Sequence, residues 1–370
     1  MGRRGHALIP EEWAARSAVA ERTVLSGHVR RLWALPGTAL GVNSRPAGML
    51  HRSFLAWNYW WQAHLLDSLV DAELRAPSGR RRALIERVIR AVRVRNMGRW
   101  TNAYYDDMAW LGLALERADR LLGLGRPPVV ARLADRLLGA WSADLGGGIP
   151  WRRADEFKNA PANGPAAILL ARTGFLDRAV TTADWIDAVL RDPETGLIRD
   201  GARPDGRGGI RIEAPIYTYN QGVVLGAEVE LAVRSVSGAE HADRVGRLVD
   251  AVGDRLSQDD VLAGHAGGDS GLFTGILARY LGLVAMSLPG DDPETTGVRE
   301  RAAGLVRASA EAAWSNAVAA TQGSDRRVCF GPDWSRPAQP PHRGTGRPER
   351  DLSVQLSGWM LLEAAAALDR

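Results

Sequence analysis

Cysteine and lysine are almost missing from this chain of 370 residues, and each occurs once, as Cys329 and Lys158. A single cysteine allows no internal disulfide and no metal cluster built on several thiolates, and it fits a reducing compartment. Long apolar runs are missing too, because the most apolar stretch, residues 275–288, is short and contains Arg279. We therefore predict that no helix spans a membrane.

The beginning of the chain lacks the features of a secretion signal. Basic residues occur there, but Pro10, Glu11 and Glu12 interrupt the apolar stretch that such a signal requires. Unless a leader has been removed, the sequence predicts a cytoplasmic protein.

Positively charged residues do not cluster densely anywhere in the sequence. The formal net charge is +4, the arginines are scattered among acidic residues, and the longest basic run covers residues 80–82. This pattern gives no indication of a nucleic-acid partner. The seven histidines include no pair spaced as His-x-x-x-His, and no glycine-rich phosphate loop follows a strand. The residues therefore offer little support for a zinc site or a nucleotide.

Strand signals are equally scarce, whereas apolar residues recur at helical spacing through most of the chain. The hydrophobic content of 45% is ample for a core, and we predict one all-α domain over residues 1–370. The predicted helices cover residues 10–35, 54–76, 79–95, 102–124, 127–141, 159–173, 176–191, 214–236, 240–257, 270–287, 294–320 and 351–368.

The predicted helices alternate in character. Every second one begins with polar, aromatic and glycine residues, whereas the others carry arginine and acidic residues on one face. Helix pairs that repeat about every fifty to sixty residues bury their faces against neighbouring pairs. We predict an (α/α)6 barrel, in which six inner helices bring their polar starts together at one end. The alternative is an open α-solenoid, in which the same polar starts would only cap the helices.

Two adjacent carboxylates, Asp106 and Asp107, lie among aromatic residues and just before an apolar helical pattern. Cleavage of a glycosidic bond requires one carboxyl that protonates the leaving oxygen and one carboxylate that meets the cationic carbon. In a shared, partly dry cleft, repulsion would separate their pKa values. Neighbours on a helix diverge by about 100°, so the pair shares a cleft only where the chain enters the helix. The alternative is simple N-capping, for which Asp is a preferred residue.

Tryptophan outnumbers phenylalanine by thirteen to five. Indole faces are suited to sugar sites because they bury the apolar side of a pyranose while the N–H keeps a partner. Trp57, Trp60, Trp61 and His64 follow the spacing of one helix face. If this helix face lies at the mouth of a barrel, its rings would bind sugar. If it lies deeper in the barrel, its rings would only pack in the hydrophobic core.

Several polar side chains are candidates for contacts with sugar hydroxyls. Amides donate and accept hydrogen bonds at once, which suits paired hydroxyls, although local capping is the alternative for each of them. The lone Lys158 indicates a position at which a compact ammonium group is needed. The candidate substrate-binding residues are Trp60, Trp61, His64, Asn102, Tyr105, Lys158, Asn159, Asn163, Tyr219, Asn220, Gln221 and Asp269.

Four motifs occur in order along the chain: YYDDMAW at residues 104–110, GGIPW at 147–151, KNAPANG at 158–164 and TYNQG at 218–222. Together they resemble glycoside hydrolase family 76, the α-1,6-mannanases, and the resemblance extends from about Trp57 to Trp359. It implies an (α/α)6 barrel, cleavage with retention of configuration and no metal cofactor. It further implies that Asp106 is the nucleophile and Asp107 the general acid/base.

The expected activity is endo-acting hydrolysis of α-1,6-linked mannan or mannooligosaccharides, by a monomer. The composition, rich in Ala, Arg and Gly, resembles that of high-GC bacteria such as actinobacteria, whose envelopes contain lipomannan and lipoarabinomannan. Such a backbone is a candidate substrate. Two alternatives stay open here: a transglycosylase that passes the mannosyl group to another sugar, and a non-catalytic barrel that binds mannan.

Overall fold

The computed structural model describes residues 10–124, 126–319, 327–340 and 347–370. Residues 1–9, on which part of the leader prediction rests, lie outside the described residues. The described chain contains thirteen α-helices, which are α1 (Pro10–His28), α2 (Met49–Arg52), α3 (Tyr59–Arg75), α4 (Gly79–Arg95), α5 (Tyr105–Leu122), α6 (Pro127–Leu138), α7 (Ala160–Arg172), α8 (Leu176–Trp185), α9 (Thr218–Arg234), α10 (Gly238–Arg255), α11 (Phe273–Ser287), α12 (Pro293–Ser315) and α13 (Leu352–Ala367).

Six of these helices form a closed inner ring. α3 packs on α5, α5 on α7, α7 on α9, α9 on α11 and α11 on α13, and α13 returns to α3. In the same order, the inner helices pack against the outer helices α4, α6, α8, α10, α12 and α1. The predicted (α/α)6 barrel is confirmed. An open solenoid is excluded because the first and last inner helices are in contact.

The inner helices suit this position because they are apolar nearly all round. In α7 every residue except Arg172 is buried. Glycines let the inner helices approach closely: a Cβ on Gly222 would stand 2.8 Å from the Cα of Leu277, and one on Gly275 would stand 2.5 Å from the Cα of Ser357. The outer helices, such as α10, instead bury one face and expose charged residues on the other.

Short antiparallel strands connect some of the helices. β3, β4 and β5 form a three-stranded sheet, and the others pair as β1 with β2, β6 with β7 and β8 with β9. The strands are β1 (Val29–Arg30), β2 (Leu40–Gly41), β3 (Lys158–Asn159), β4 (Arg199–Pro204), β5 (Ile210–Ile216), β6 (Ser257–Gln258), β7 (Val261–Leu262), β8 (Val318–Ala319) and β9 (Val328–Cys329).

Five of the predicted helices include residues that form a strand instead, at positions 29–30, 159, 214–216, 257 and 318–319. The first helix ends at His28 rather than at residue 35, because β1 pairs with β2. The helix predicted from residue 214 begins at Thr218, because β5 continues to Ile216 and pairs with β4. β5 is mostly exposed or half-buried on both faces, so it lacks the alternation of buried and exposed residues by which strands are predicted.

Charged residues occupy the ring toward the C-terminal ends of the inner helices. Asp67 and Asp71 of α3 each accept hydrogen bonds from both Arg117 of α5 and Arg279 of α11. One described stretch, Gly268–Ser287, is long and apolar enough to cross a membrane, but it is α11 with its preceding turn, and 67% of its apolar window is buried in the ring. Arg279 lies within this stretch and is engaged in the ion pairs.

Candidate active site

The inner helices begin around one open cavity of about 1080 Å³. Its walls come from the starts of α3, α5, α7, α9 and α11, and from the sheet formed by β3, β4 and β5. Four carboxylates line it, together with several aromatic rings. The lining residues are Trp57, Asn58, Tyr59, Trp60, Asn96, Asn102, Ala103, Tyr104, Asp106, Asp107, Trp110, Trp151, Phe157, Asn159, Asp200, Arg203, Tyr217, Tyr219, Asp269, Ser270 and Phe273.

Asp106 and Asp107 occupy the first turn of α5, where the chain enters the helix. Tyr104, just before the helix, is extended, with φ −102° and ψ 126°. The side chain of Asn102 links the segment before the helix to the first turn of α5. Its Oδ1 accepts from the Tyr104 amide at 2.9 Å, and its Nδ2 donates to Asp107 Oδ2. The Tyr105 amide donates to the Trp151 carbonyl at 2.9 Å. Both acids are therefore held at the mouth of the helix and both face the cavity.

Asp106 is held by two N–H donors. Its Oδ1 accepts from the Asp107 amide at 2.9 Å, and its Oδ2 accepts from Trp151 Nε1 at 3.0 Å. Burial raises the pKa of Asp106 to about 6, the two donors oppose that rise, and the nearby charge of Asp269 adds to it. Above about pH 6 this carboxyl is ionised, with both of its oxygens oriented.

The pKa of Asp107 is also raised, and by more than that of Asp106. Burial, and then the charge of Asp106, raise the pKa of Asp107 well above its ordinary value, while the hydrogen bond from Asn102 opposes the rise. Between the two pKa values the pair holds one proton, and that proton is on Asp107. The site thus presents an ionised carboxylate and a carboxylic acid side by side.

Asp269 reaches into the cavity from the turn before α11, and one of its oxygens is surrounded by donors. Oδ1 accepts from Asn58 Nδ2 at 2.9 Å, from Trp60 Nε1 at 3.2 Å and from Trp61 Nε1 at 2.9 Å. The side chain is exposed to the cavity. This carboxylate therefore fixes the two indole rings of α3 and stays accessible from the cavity.

Aromatic rings form the flat parts of the wall. Tyr219 and Phe273 stack with their centroids 3.8 Å apart and their planes 3° from parallel. On the other side, Trp60 and Trp110 are stacked at 6.5 Å. Such faces contact the apolar C–H groups of a sugar ring without needing hydrogen bonds.

The structure brings seven of the predicted site residues to the cavity and places the others behind it. The seven are Trp60, Asn102, Asp106, Asp107, Asn159, Tyr219 and Asp269. The residues that do not line the cavity are Trp61, His64, Tyr105, Lys158, Asn163, Asn220 and Gln221.

His64 packs beneath the cavity floor. It is buried, its ring lies 4.6 Å from that of Trp110 and 5.6 Å from that of Trp60, and neither ring nitrogen has a hydrogen-bond partner among the described residues. Burial lowers the pKa of His64 well below its ordinary value, so the ring is neutral. The predicted contact with ligand is thus replaced by packing that positions the two indoles.

Lys158 holds a loop instead of reaching the cavity. Its Nζ donates to the carbonyls of Ser142, Asp144 and Gly147, at 3.0, 2.6 and 2.8 Å, and to Ser142 Oγ at 2.9 Å. These acceptors surround a compact ammonium group, which a planar guanidinium does not match. The small size of the ammonium group therefore explains why this position carries lysine rather than arginine. Lys158 positions the glycine-rich loop that leads to Trp151.

Two of the predicted amides bind backbone rather than face the cavity. Asn163 accepts from the Ile149 amide at 2.7 Å and donates to the Ile149 carbonyl at 2.8 Å. Gln221 does the same with Ile198, at 2.7 and 2.9 Å. A buried amide pairs fully with one peptide group in this way. Both side chains thus anchor segments that carry cavity residues.

Asn220 also acts from behind the wall, because its Nδ2 donates to Asp200 Oδ1 at 3.3 Å. Asp200 and Arg203 line the cavity from β4, and neither was predicted. Burial raises the pKa of Asp200. The Arg203 guanidinium lies 4.1 Å from the centre of the Phe157 ring and pairs with Asp155 at 3.3 Å. No sequence signal places β4 on the same cavity as α5, because the two segments are far apart in the chain.

No group of three or more His, Cys, Asp or Glu side chains is arranged to hold a metal ion in the part of the chain that the structure describes. The wall of the cavity presents carboxyls, amides, phenols, indoles and the Arg203 guanidinium.

Residues 37–357 match the family model described as Glycosyl hydrolase family 76. None of the curated proteins compared with the sequence matches it. Among solved structures, an α-1,6-mannanase from Salegentibacter sp. HEL1_6 is similar, with 29% identity over 96% of this chain and 99% of that one, and a TM-score of 0.81.

Two further structures are similar over nearly their whole length. One is a variant of the same mannanase described as inactive, with two adjacent aspartates changed to asparagine, in complex with α-1,6-mannotriose; it has 28% identity over 96% of this chain and 99% of that one, and a TM-score of 0.82. The other is the Lin0763 protein from Listeria innocua, with 26% identity over 96% of this chain and 97% of that one, and a TM-score of 0.79. The family predicted from the motifs is confirmed, and the chain belongs to glycoside hydrolase family 76.

Proposed function

We propose that this protein is an endo-acting α-1,6-mannanase that cleaves with retention of configuration. The observation that carries the proposal is the pair Asp106 and Asp107, which presents one ionised and one protonated carboxyl to a cavity walled by aromatic rings. Retaining hydrolysis requires these two states on carboxyls only about 5 to 5.5 Å apart, a separation that adjacent residues at a helix mouth can supply.

In the first step Asp106 attacks the anomeric carbon of the mannosyl unit, and the bond from that carbon to the leaving oxygen breaks. Asp107 transfers its proton to the departing oxygen. The N–H groups of Asp107 and Trp151 hold the attacking carboxylate in place. The product is a mannosyl ester of Asp106, and Asp107 is left as a carboxylate.

In the second step Asp107 takes a proton from a water molecule while the water oxygen attacks the anomeric carbon. The ester bond to Asp106 breaks and its carboxylate is restored, and Asp107 is again protonated. Two inversions at the same carbon leave the configuration unchanged. The high pKa of Asp107 suits both of its roles, as acid and then as base.

The comparisons support the choice of substrate. A structure 28% identical to this chain holds α-1,6-mannotriose, and its inactivating substitutions fall on two adjacent aspartates. This chain has three Asp-Asp pairs, and the other two, at residues 259–260 and 291–292, are exposed outside the cavity. The position of the pair 106–107 in the cavity wall supports its assignment as the catalytic pair.

Incubation with linear α-1,6-mannan tests the proposal. We expect a series of mannooligosaccharides at early times and α-anomers among the first products. Products of transfer to other sugars would instead indicate a transglycosylase. Binding in calorimetry without release of reducing ends would indicate a non-catalytic barrel, and either result would overturn the proposed function.

Replacing Trp151 by phenylalanine is expected to move the acid limb of the pH profile upward. The ionised form of Asp106 loses the Nε1 donor at 3.0 Å, so the proton is held more tightly and the pKa rises above about 6. A charge-assisted hydrogen bond of this kind corresponds to a shift of about one pH unit. The quantity to measure is kcat/KM against pH on linear α-1,6-mannan.

Tyr217→Phe is the matched control. Tyr217 lines the same cavity, but no hydrogen bond joins it to Asp106 or Asp107 among the described contacts. We expect its acid limb to stay at the wild-type position. An equal shift in both variants, or none in Trp151→Phe, would contradict the role assigned to the indole N–H.

A further inference from the structure

The first quarter of the chain is strongly basic. Residues 22–66 contain five arginines and no acidic residue. Residues 22–105 contain fourteen arginines and four acidic residues, a net charge of +10 in a chain whose total is +4. Apart from the run at residues 80–82 the arginines are spread along the sequence, so only the folded chain shows where they meet.

The fold places four of these arginines on one surface. The loop between β1 and β2 lies against α4, where the Ala39 amide donates to the Arg87 carbonyl at 3.3 Å. A Cβ built on Gly37 would stand 2.6 Å from Arg90 Nη1, so the Arg90 guanidinium lies over this loop. The end of α2 joins the same surface, because Trp33 Nε1 donates to the Ser53 carbonyl at 2.8 Å. We call this surface the arginine face, and it consists of Arg30, Trp33, Leu35, Arg45, Met49, Leu50, Arg52, Leu55, Arg90 and Met97.

A groove of about 610 Å³ opens on the arginine face. No acidic residue lines this groove. The arginines that line it are Arg30, Arg45, Arg52 and Arg350. Burial, and then the charges of Arg327 and Arg30, lower the pKa of Arg45. Among the described residues no Asp or Glu forms an ion pair with Arg45, and none is among the groups that shift its pKa. Half-buried positive charge without a counter-charge favours an anionic ligand.

Large apolar side chains protrude from the arginine face. The described residues include eleven exposed large apolar side chains, and six of these belong to the arginine face. Met49 and Met97 are each 80% exposed, Leu55 is 67% exposed and Leu50 is 61% exposed. Single exposed apolar residues are ordinary, but a group of them among arginines is the composition of a surface that rests in a lipid headgroup region.

We propose that the arginine face binds the surface of membranes that contain anionic phospholipids. The arginines contact lipid phosphates, and the tips of Met49, Leu50, Leu55 and Met97 enter the headgroup region. Two properties favour this partner over a nucleic acid: the apolar side chains point outward beside the charges, and they belong to α2 and to turns rather than to a groove-filling helix. The negative charge of such a membrane complements the arginines of this face.

The arginine face adjoins the cavity. Asn58 and Asn96 line the cavity, and the protruding Leu55 and Met97 are their close neighbours in the chain. A bound membrane would therefore lie beside the cavity mouth. If the proposed function holds, a glycan attached to a lipid would reach Asp106 and Asp107 from that side.

Cosedimentation of the full chain with vesicles tests the lipid proposal without any measurement of hydrolysis. We expect binding to vesicles of phosphatidylglycerol and phosphatidylcholine, little binding to phosphatidylcholine alone, and weaker binding as salt is raised. The double variant Arg45→Gln with Arg52→Gln is expected to bind the anionic vesicles about 25-fold more weakly, at about fivefold for each arginine. The matched control is Arg247→Gln with Arg255→Gln on α10, across the ring, which changes the net charge equally and should bind as the wild type does.

A second variant separates the apolar contribution. Met49→Ser with Leu50→Ser should bind anionic vesicles at low salt but lose most binding at about 0.15 M salt, where arginine contacts are screened. Far-UV circular dichroism and thermal unfolding show that each variant is folded. Absence of binding to anionic vesicles, equal binding to neutral ones, or equal loss in the α10 control would overturn the proposal. Because lipid binding is measured alone, these outcomes are independent of the proposed function.

Discussion

Replacing Asp106 by asparagine is expected to lower kcat on α-1,6-mannan by about 10⁴-fold or more, because the bond to the anomeric carbon then has no carboxylate to form it. Replacing Asp107 by asparagine removes the proton donor and is expected to cost about 10²- to 10⁴-fold. Both side chains lie at a helix mouth and face a cavity, so the fold should be unchanged. Release of reducing ends measures the rate, and circular dichroism checks the fold.

A substrate with a leaving group that needs no proton distinguishes the two roles. On an activated mannoside such as the fluoride, Asp107→Asn should recover much of its first step, whereas Asp106→Asn should stay inactive. The exposed pair Asp259 and Asp260 provides the matched control. The same Asp→Asn substitutions there remove the same carboxylates outside the cavity and should leave the activity unchanged. Full activity of either variant at positions 106 and 107 would end the proposed mechanism.

Replacing Arg279 by leucine is expected to lower the free energy of unfolding by about 3 to 5 kcal/mol. Asp67 and Asp71 each share their hydrogen bonds between Arg117 and Arg279. Burial raises the pKa of Asp67, but the two arginines outweigh it, and the net pKa is lowered. Without Arg279, two neighbouring carboxylates share one guanidinium inside the ring. Urea unfolding followed by circular dichroism measures the loss.

Arg301→Leu is the control for this loss. Arg301 also pairs with two aspartates one helical turn apart, Asp250 at 2.5 Å and Asp254, but these aspartates are largely exposed. Solvent screens such pairs, so the expected cost is below about 1 kcal/mol. Similar losses in Arg279→Leu and Arg301→Leu would show that burial does not set the strength of the network.

The ring and the place of the acid pair were predictable because both depend on local spacing. Apolar residues at a period of 3.6 predict helices, and the alternation of polar and charged helices predicts which of them face inward. The prediction placed the mouth of one inner helix at residue 102, and α5 begins at Tyr105 with Asp106 and Asp107 in its first turn.

The orientation of the other polar residues was not predictable in the same way. Asn159 lines the cavity, whereas Asn163, four residues later in the same motif, binds the backbone of Ile149. Which side of a helix faces the cavity depends on the rotation of the helix about its axis, and packing against neighbouring helices sets that rotation. The residues of the motif at 158–164 would be the same for any rotation of the helix, so the motif does not reveal which asparagine faces the cavity.

The sequence by itself determined the helices, their inner and outer positions and the presence of two adjacent acids at one helix start. Only the tertiary structure decided the charge states of those acids, because Trp151 and Asp269, which act on Asp106, come from other segments of the chain. It also decided that scattered arginines form one face and that Asp200 enters the cavity. Burial and electrostatic interaction depend on distances through space, and spacing along the chain does not contain those distances.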